Sequence, residues 1–301
     1  MVTTQIEKQE SKEKSRVTKE EWREFTKSVW HIANVSDPQH PAVFPEEIPL
    51  RLIKLFSFYG ETVLDPFAGI GTTARVANRL GRNAICIDQN SDYIKAIRNI
   101  QSTTDAKIIA KTADSRDLSF IPADSIGLII TSPPYWNKAD YGKKKENLGK
   151  IDRYDLFLRE IEKVFRECYR VLLPGRKICV VTANVNQHTE HGLLTFPLAA
   201  DFTNILRSIG YMMVKEVIWD KDGTGGKWGS YGHQRPIFGS YPFPPNFLFK
   251  TVHEYILIFA RPNGGKTKGP KVRLLQEIIG KAQFPNLNSM PFGCEFNATV
   301  D

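Results

Sequence analysis

The sequence predicts an α/β protein built on a doubly wound, mostly parallel seven-stranded sheet with helices on both faces. Three observations carry that expectation. Short apolar runs alternate with amphipathic stretches from about residue 48 to residue 260, which is the pattern of successive βαβ units. A glycine-rich turn follows the first apolar run, where sheets of this kind place their ligands. The chain has 301 residues, 41% of them hydrophobic and 25% charged. That suits one large domain with elaborations and excludes a disordered, collagen-like or coiled-coil chain.

Residues 1–28 mix acids and bases with few apolar side chains and read as a solvated polar arm, helical or frayed. Ile48, Leu52, Leu55 and Phe56 then share one face of a helix. Thr62–Phe67 is a short buried strand, Ala74–Leu80 a helix closed by Gly81, and Asn83–Asp88 a second strand. Tyr93, Ile94, Ile97 and Ile100 mark the next helix, followed by strands near 106–112 and at 126–131. A long helix carries Leu156, Ile161, Val164, Phe165, Cys168 and Val171. Lys177–Thr182 is a strand, and Leu198, Phe202, Ile205 and Ile209 mark a helix. Strands at 212–219 and Glu254–Ala260 complete the seven. They lie too far apart for a tight hairpin, and the segment 220–253 between them is rich in Gly, Pro and aromatic residues. A long irregular insertion in a compact domain is usually functional.

Lys and Arg number 41 against 33 Asp and Glu, a net charge of +8. This basic excess permits an anionic partner such as nucleic acid. The four cysteines form no C-x-x-C pair and the six histidines show no ligand spacing, so buried reduced thiols and no metal site are expected. No run is long enough to span a bilayer and the N-terminus is polar. The expectation is a cytoplasmic protein with neither secretory signal nor membrane partner.

Asp65-Pro66-Phe67-Ala68-Gly69-Ile70-Gly71-Thr72-Thr73 joins a predicted strand to a predicted helix. Gly69 and Gly71 allow a tight turn and close approach of a ligand to the backbone. Thr72 and Thr73 offer hydroxyls at the helix N-terminus, and Asp88, ending the next strand, is placed to accept hydrogen bonds from ribose. A nicotinamide dinucleotide fits the glycines but not Asp65, because a carboxylate before the turn repels a pyrophosphate and favours a cationic ligand. S-Adenosylmethionine, with its sulfonium and ammonium groups, suits the turn better.

Thr131-Ser132-Pro133-Pro134-Tyr135-Trp136 follows the apolar strand 126–130. The motif Ser132–Tyr135 resembles the catalytic (Ser/Asn/Asp)-Pro-Pro-(Tyr/Phe) turn of DNA amino-methyltransferases, which act on exocyclic nitrogens of cytosine or adenine. The chemistry accounts for the residue types. The lone pair of an exocyclic amino group is delocalised into the ring. An acceptor at Ser132 with a main-chain carbonyl beside it draws the amino hydrogens out of plane and restores nucleophilicity. Pro133 and Pro134 stiffen the turn and have no N–H to occupy those carbonyls. Tyr135 offers a ring face to a base extruded from the duplex.

The resemblance runs over about 28–262. His40-Pro-Ala-Val-Phe44-Pro resembles the family's H-P-A-x-F-P segment beside the cofactor. Asp65–Thr73 resembles D-P-F-x-G-x-G-T-T, and Arg170–Gly175 resembles R-V-L-x-P-G. Ile218–Lys221 and His253–Ile258 resemble the last strand pair. It implies a Rossmann-like methyltransferase domain at 29–262 with S-adenosyl-L-methionine as cofactor and double-stranded DNA as partner. It also implies a restriction–modification setting with a cognate restriction endonuclease. The implied cofactor residues are His40, Phe44, Asp65, Pro66, Phe67, Gly69, Gly71, Thr72, Thr73, Asp88, Asp114 and Thr131. Asp88 departs from the family's usual Glu, Arg176 replaces a usual Gly, and the cofactor motif precedes the catalytic one, a circularly permuted order.

Ser132 points to cytosine N4, since S-P-P-Y goes mostly with cytosine in this family and N-P-P-Y or D-P-P-Y with adenine N6. Adenine N6, an RNA or protein amide, and a binding module without catalysis are the other readings. Three segments could reach DNA. The lysine-rich loop 137–153 follows Trp136 and contains Lys138, Asp140 and Tyr141. The insertion 220–253 interleaves Lys227, Trp228 and Arg235 with further aromatics, among which Phe243, Phe247 and Phe249 read as packing residues. The extension 263–301 is basic.

Overall fold

The computed structural model describes residues 5–35, 43–136, 147–221, 243–245, 249 and 251–263. Two helices, α1 (Gln5–Lys14) and α2 (Lys19–Phe25), precede the short strand β1 (Val29–His31). A capping box starts α2: Glu21 N donates to Thr18 Oγ1 and Thr18 N to Glu21 Oε2, each at 3.1 Å. These helices are tied to the body of the protein. Ser11 Oγ donates to Tyr59 O at 2.7 Å, Lys54 pairs with Glu21, and Phe25 is buried.

The remaining elements follow as α3 (Glu47–Phe56), β2 (Thr62–Asp65), α4 (Thr72–Arg79), β3 (Asn83–Asp88), α5 (Ser91–Arg98), β4 (Ile108–Thr112) and β5 (Ile126–Thr131). After them come α6 (Tyr154–Val171), β6 (Leu172–Thr182), β7 (Val185–Thr189), β8 (Gly192–Phe196), α7 (Leu198–Ile209), β9 (Met212–Asp220) and β10 (His253–Ala260). The sheet order is β1-β9-β10-β6-β5-β2-β3-β4. All pairs are parallel except those of β10, which runs antiparallel to β6 and β9.

The sheet therefore has eight strands among the described residues, not seven. The seven read from the sequence are present, and β1 adds a parallel edge with Trp30 opposite Trp219. Three residues with one buried side chain are too short for a periodic signal. The hairpin of β7 and β8 was also illegible, because its apolar Leu193 and Leu194 are exposed. In α6 the buried stripe uses Phe157 and Leu158, and Leu156 is exposed. Phe243 and Phe249 are exposed rather than packed.

The strand order reverses between β2 and β5. From β2 the chain winds outward to β3 and β4, then returns to β5 on the other side of β2 and continues to β6. At such a switch point the connections leave in opposite directions, opening a crevice at the strands' carboxyl ends. Those ends carry Asp65, Asp88, Thr112 and Thr131. Every residue of β5 is buried, as expected of a central parallel strand covered on both faces.

Candidate functional site

The loop after β2 is held from beneath by its neighbours. Ala68 N donates to Ile87 O and Gly69 N to Asp88 Oδ2, both at 2.9 Å. Asp65 is fully buried. Its Oδ2 accepts from Thr73 Oγ1 at 2.6 Å and its Oδ1 from Phe67 N at 3.1 Å. Burial raises its pKa to about 7, against the opposing effect of those hydrogen bonds. Gly71 has φ +85°, and a Cβ there would lie 2.7 Å from Ile97 Cγ1. Glycine at this position is what lets α4 begin against α5.

Asp88 joins both sides of the crevice. Beyond its bond from Gly69, its Oδ1 accepts from Asn90 N at 2.8 Å. Asn90 in turn caps α5, accepting from Asp92 N at 2.9 Å. Two residues past the end of β4, Asp114 is held by Arg116. Arg116 Nε lies 3.0 Å from each carboxyl oxygen and Arg116 NH2 2.6 Å from Oδ2, while Arg116 NH1 reaches Glu160 Oε2 at 2.5 Å. Partial burial raises the Asp114 pKa, but the Arg116 hydrogen bonds outweigh it and leave the carboxyl below the usual range. Ser115 Oγ donates to Pro66 O and so fastens this corner to the glycine loop.

These groups surround a cavity of about 260 Å³. Of the expected cofactor residues, Phe44, Pro66, Phe67, Gly69, Thr72, Asp88 and Asp114 line it, and so do Ser132 and Pro134 of the S-P-P-Y turn. The two motifs thus meet, as the register requires: β2 and β5 are adjacent, with Leu64 opposite Ile129. Asp65, Gly71, Thr73 and Thr131 are not on the cavity wall. Asp65 and Thr73 brace the loop from beneath, the two carboxyl oxygens accepting from Phe67 N and Thr73 Oγ1.

Tyr135 is buried beside the turn, its hydroxyl donating to Glu254 Oε2 at 2.7 Å. Trp136, expected among the DNA contacts, is packed inward instead. Its ring lies 4.5 Å from Phe196 and 4.9 Å from Tyr154, and its N–H donates to Ile151 O at 2.7 Å. His40, Lys138, Asp140, Tyr141, Lys227, Trp228 and Arg235 lie outside the described residues.

The cavity also uses Asn90, Ser91, Tyr93, Ser115, Asn147 and Leu148, which sequence reasoning did not select. Asn90 and Ser91 were within reach, since an Asn before a helical stripe marks an N-cap. Asn147 and Leu148 stand beside a lysine-rich stretch that reads as solvated, yet both are buried. Cys86, Cys168 and Cys179 are free buried thiols. Among the described residues no group of side chains could hold a metal ion, and no helix is long and apolar enough to cross a membrane.

A crevice at the sheet's switch point, lined by the glycine loop and by the S-P-P-Y turn, is the arrangement of a methyltransferase-like architecture. The sequence matches the model of the N6_N4_Mtase family, DNA methylases, over residues 2–99 and 126–278, and the chain belongs to that family. The family depends on S-adenosylmethionine. The chain is 50% identical over 78 residues to the type II methyltransferase M.MjaI of Methanocaldococcus jannaschii, covering 24% of this chain and 25% of that protein. It is 29% identical over 181 residues to the type II methyltransferase M.MthZI of Methanothermobacter thermautotrophicus, covering 54% and 47%. The matched parts thus span half or less of these curated relatives. Among solved structures, TTHA0409 of Thermus thermophilus, described as a candidate DNA modification methylase and complexed with S-adenosyl-L-methionine, is 32% identical. It covers 55% of this chain and 59% of that one, with a TM-score of 0.37.

Proposed function

We propose that this chain is a DNA methyltransferase that moves a methyl group from S-adenosylmethionine to the exocyclic N4 of an extruded cytosine, within a restriction–modification system. One observation carries the reading: Ser132 and Pro134 line the same cavity as Gly69, Asp88 and Asp114. Acceptor turn and cofactor loop therefore serve one space.

The donor set suits an adenosyl group. Asp88 lines the cavity and is oriented there by Gly69 N and Asn90 N, which donate to its two oxygens, and a carboxylate so placed suits ribose hydroxyls. Phe44, Phe67, Ile70, Tyr93 and Leu148 supply apolar and aromatic walls for a flat ring system. The cofactor supplies an electrophilic methyl on sulfur, whose neutral leaving group needs no general acid. The chain's residues do the rest. Ser132 Oγ and a neighbouring main-chain carbonyl accept the amino hydrogens and turn the nitrogen lone pair toward the donor; the nitrogen gains the methyl as the methyl–sulfur bond breaks and then loses one of its protons to solvent. Pro133 and Pro134 keep that carbonyl free of an N–H partner. Tyr135, buried beside the turn and off the cavity wall, would present its ring to the base as the base enters, offsetting the few kcal/mol of unstacking.

Serine at position 132 supports cytosine over adenine, and the type II methyltransferases among the relatives support the restriction–modification setting. Lys138, Asp140, Tyr141, Lys227, Trp228 and Arg235 are the proposed DNA contacts, which should make affinity fall steeply with salt. The test is tritium transfer from labelled S-adenosylmethionine to PCR-amplified genomic DNA, which carries no prior methylation, in parallel with total RNA and protein. Label entering DNA alone supports the reading; label confined to RNA or protein rejects it.

A further inference from the structure

We infer that Glu254 is a positioning residue for Tyr135, fixing the ring before any base arrives; the inference rests on the S-P-P-Y reading above. Tyr135 is held at two ends. Its main chain continues from the stiff Pro133–Pro134 turn, and its hydroxyl donates to Glu254 Oε2 at 2.7 Å. The acceptor comes from elsewhere in the chain, 119 residues later. Glu254 is the second residue of β10, opposite Trp219 of β9.

The carboxylate is itself restrained. Its side chain is only 14% exposed and pairs with Lys221 Nζ at the end of β9. Lys221 lies 4.3 Å from the centre of the Trp219 ring, and its backbone N–H donates to Val252 O at 3.0 Å. Trp219 is anchored in turn, its indole N–H donating to Ile32 O at 2.8 Å. The support for Tyr135 is therefore assembled from β9 and β10, on rigid strands independent of the turn that carries it.

An aromatic ring tethered at Cβ and at its hydroxyl has little freedom to swing. Its ordering is completed when the protein folds, so less conformational freedom is lost when a base is captured. A carboxylate acceptor makes the tether charge-assisted, and Lys221 balances the charge that would otherwise stand beside the site. Glu254 touches neither base nor cofactor in this account and acts only through Tyr135.

The experiment measures kcat and KM for methyl transfer to PCR-amplified genomic DNA, with cofactor affinity by calorimetry, in Glu254→Ala, Glu254→Gln, Tyr135→Phe and the Tyr135→Phe/Glu254→Ala double variant. Loss of a charge-assisted tether predicts that Glu254→Ala and Tyr135→Phe each lower kcat about tenfold or more, with cofactor Kd unchanged within about twofold. Glu254→Gln keeps an oxygen for the phenol and should retain at least about a third of wild-type kcat. The double variant should be no worse than the weaker single one, because both remove the same bond.

Wild-type kcat in Glu254→Ala, or losses that multiply in the double variant, would overturn the inference. Should Glu254→Ala fail to fold, Tyr135→Phe decides alone, and wild-type kcat there rejects the tether. An unmutated protein that binds cofactor but labels no DNA brings down the parent reading and this inference with it. An active protein indifferent to Glu254 removes the inference only.

Discussion

Replacing Gly71 with alanine separates a packing role from a ligand role at the glycine loop. Gly71 sits at φ +85° and ψ 33° as the N-cap of α4. An L-residue held in that left-handed region costs about 1–2 kcal/mol. The new Cβ would also stand 2.7 Å from Ile97 Cγ1 and 3.2 Å from Ile100 Cδ1. Ile97 is 1% exposed and branched at Cβ, so Cγ1 has no room to turn away. Overpacking of this kind adds about 1–3 kcal/mol. The sum is about 2–5 kcal/mol, a large share of the roughly 5–15 kcal/mol that holds a domain together. Urea unfolding should therefore show a lower midpoint with an unchanged m-value. Gly71→Ala/Ile97→Ala should be less destabilised than the two single changes added together, by about 1 kcal/mol or more. Because Gly71 is off the cavity wall, cofactor affinity of the folded variant should fall less than about threefold. Stability within about 1 kcal/mol of wild type, together with a cofactor Kd weakened more than tenfold, would refute the packing argument and put Gly71 in the ligand's path.

Three further outcomes follow from the site. The folded pKa of Asp65, about 7, lies above its ordinary 3.8, so between these values the folded state holds a proton that the unfolded state has released. Stability from this group therefore falls as pH rises from about 4 to about 7, by about 4 kcal/mol in total. Asp65→Asn lacks the titration and should gain on wild type across that window; a constant difference in urea midpoints from pH 4.5 to 7.5 would contradict it. Asp88→Ala removes the acceptor for Gly69 N and Asn90 N and the proposed ribose contact, and should weaken cofactor binding about tenfold to a hundredfold by calorimetry. Undiminished affinity would exclude that role. Ser132→Ala should lower kcat about a hundredfold with cofactor Kd unchanged; full turnover would remove the proposed acceptor.

How much of this was legible in the sequence depended on how local each feature is. The seven strands read from the sequence and their helices carry their own apolar patterns, and β5 with its uninterrupted apolar run could be read directly. Strand β1 could not, since Trp30 becomes a strand residue only by pairing with β9, almost 190 residues away. The glycine loop was read correctly as a turn, but the sequence does not say which of its residues face outward. Asp65 and Thr73 bond to each other and Gly71 answers to Ile97, all contacts set by tertiary packing. Trp136 looked like a DNA contact because basic residues follow it, yet Phe196, from the unread hairpin, draws it inward. Leu148 gave no local signal, and Glu254 drew notice only within its strand motif. Each owes its place to the sheet order, not to its neighbours in the chain.

The most direct test of the central claim uses S-adenosylmethionine bearing a trideuterated methyl group. The full chain is incubated with PCR-amplified genomic DNA, and the DNA is digested to nucleosides for mass spectrometry. Trideuterated N4-methyldeoxycytidine is expected with the wild-type chain and should nearly vanish with Ser132→Ala. Trideuterated N6-methyldeoxyadenosine as sole product would contradict the base assignment, and no deuterated nucleoside at all would contradict the account as a whole.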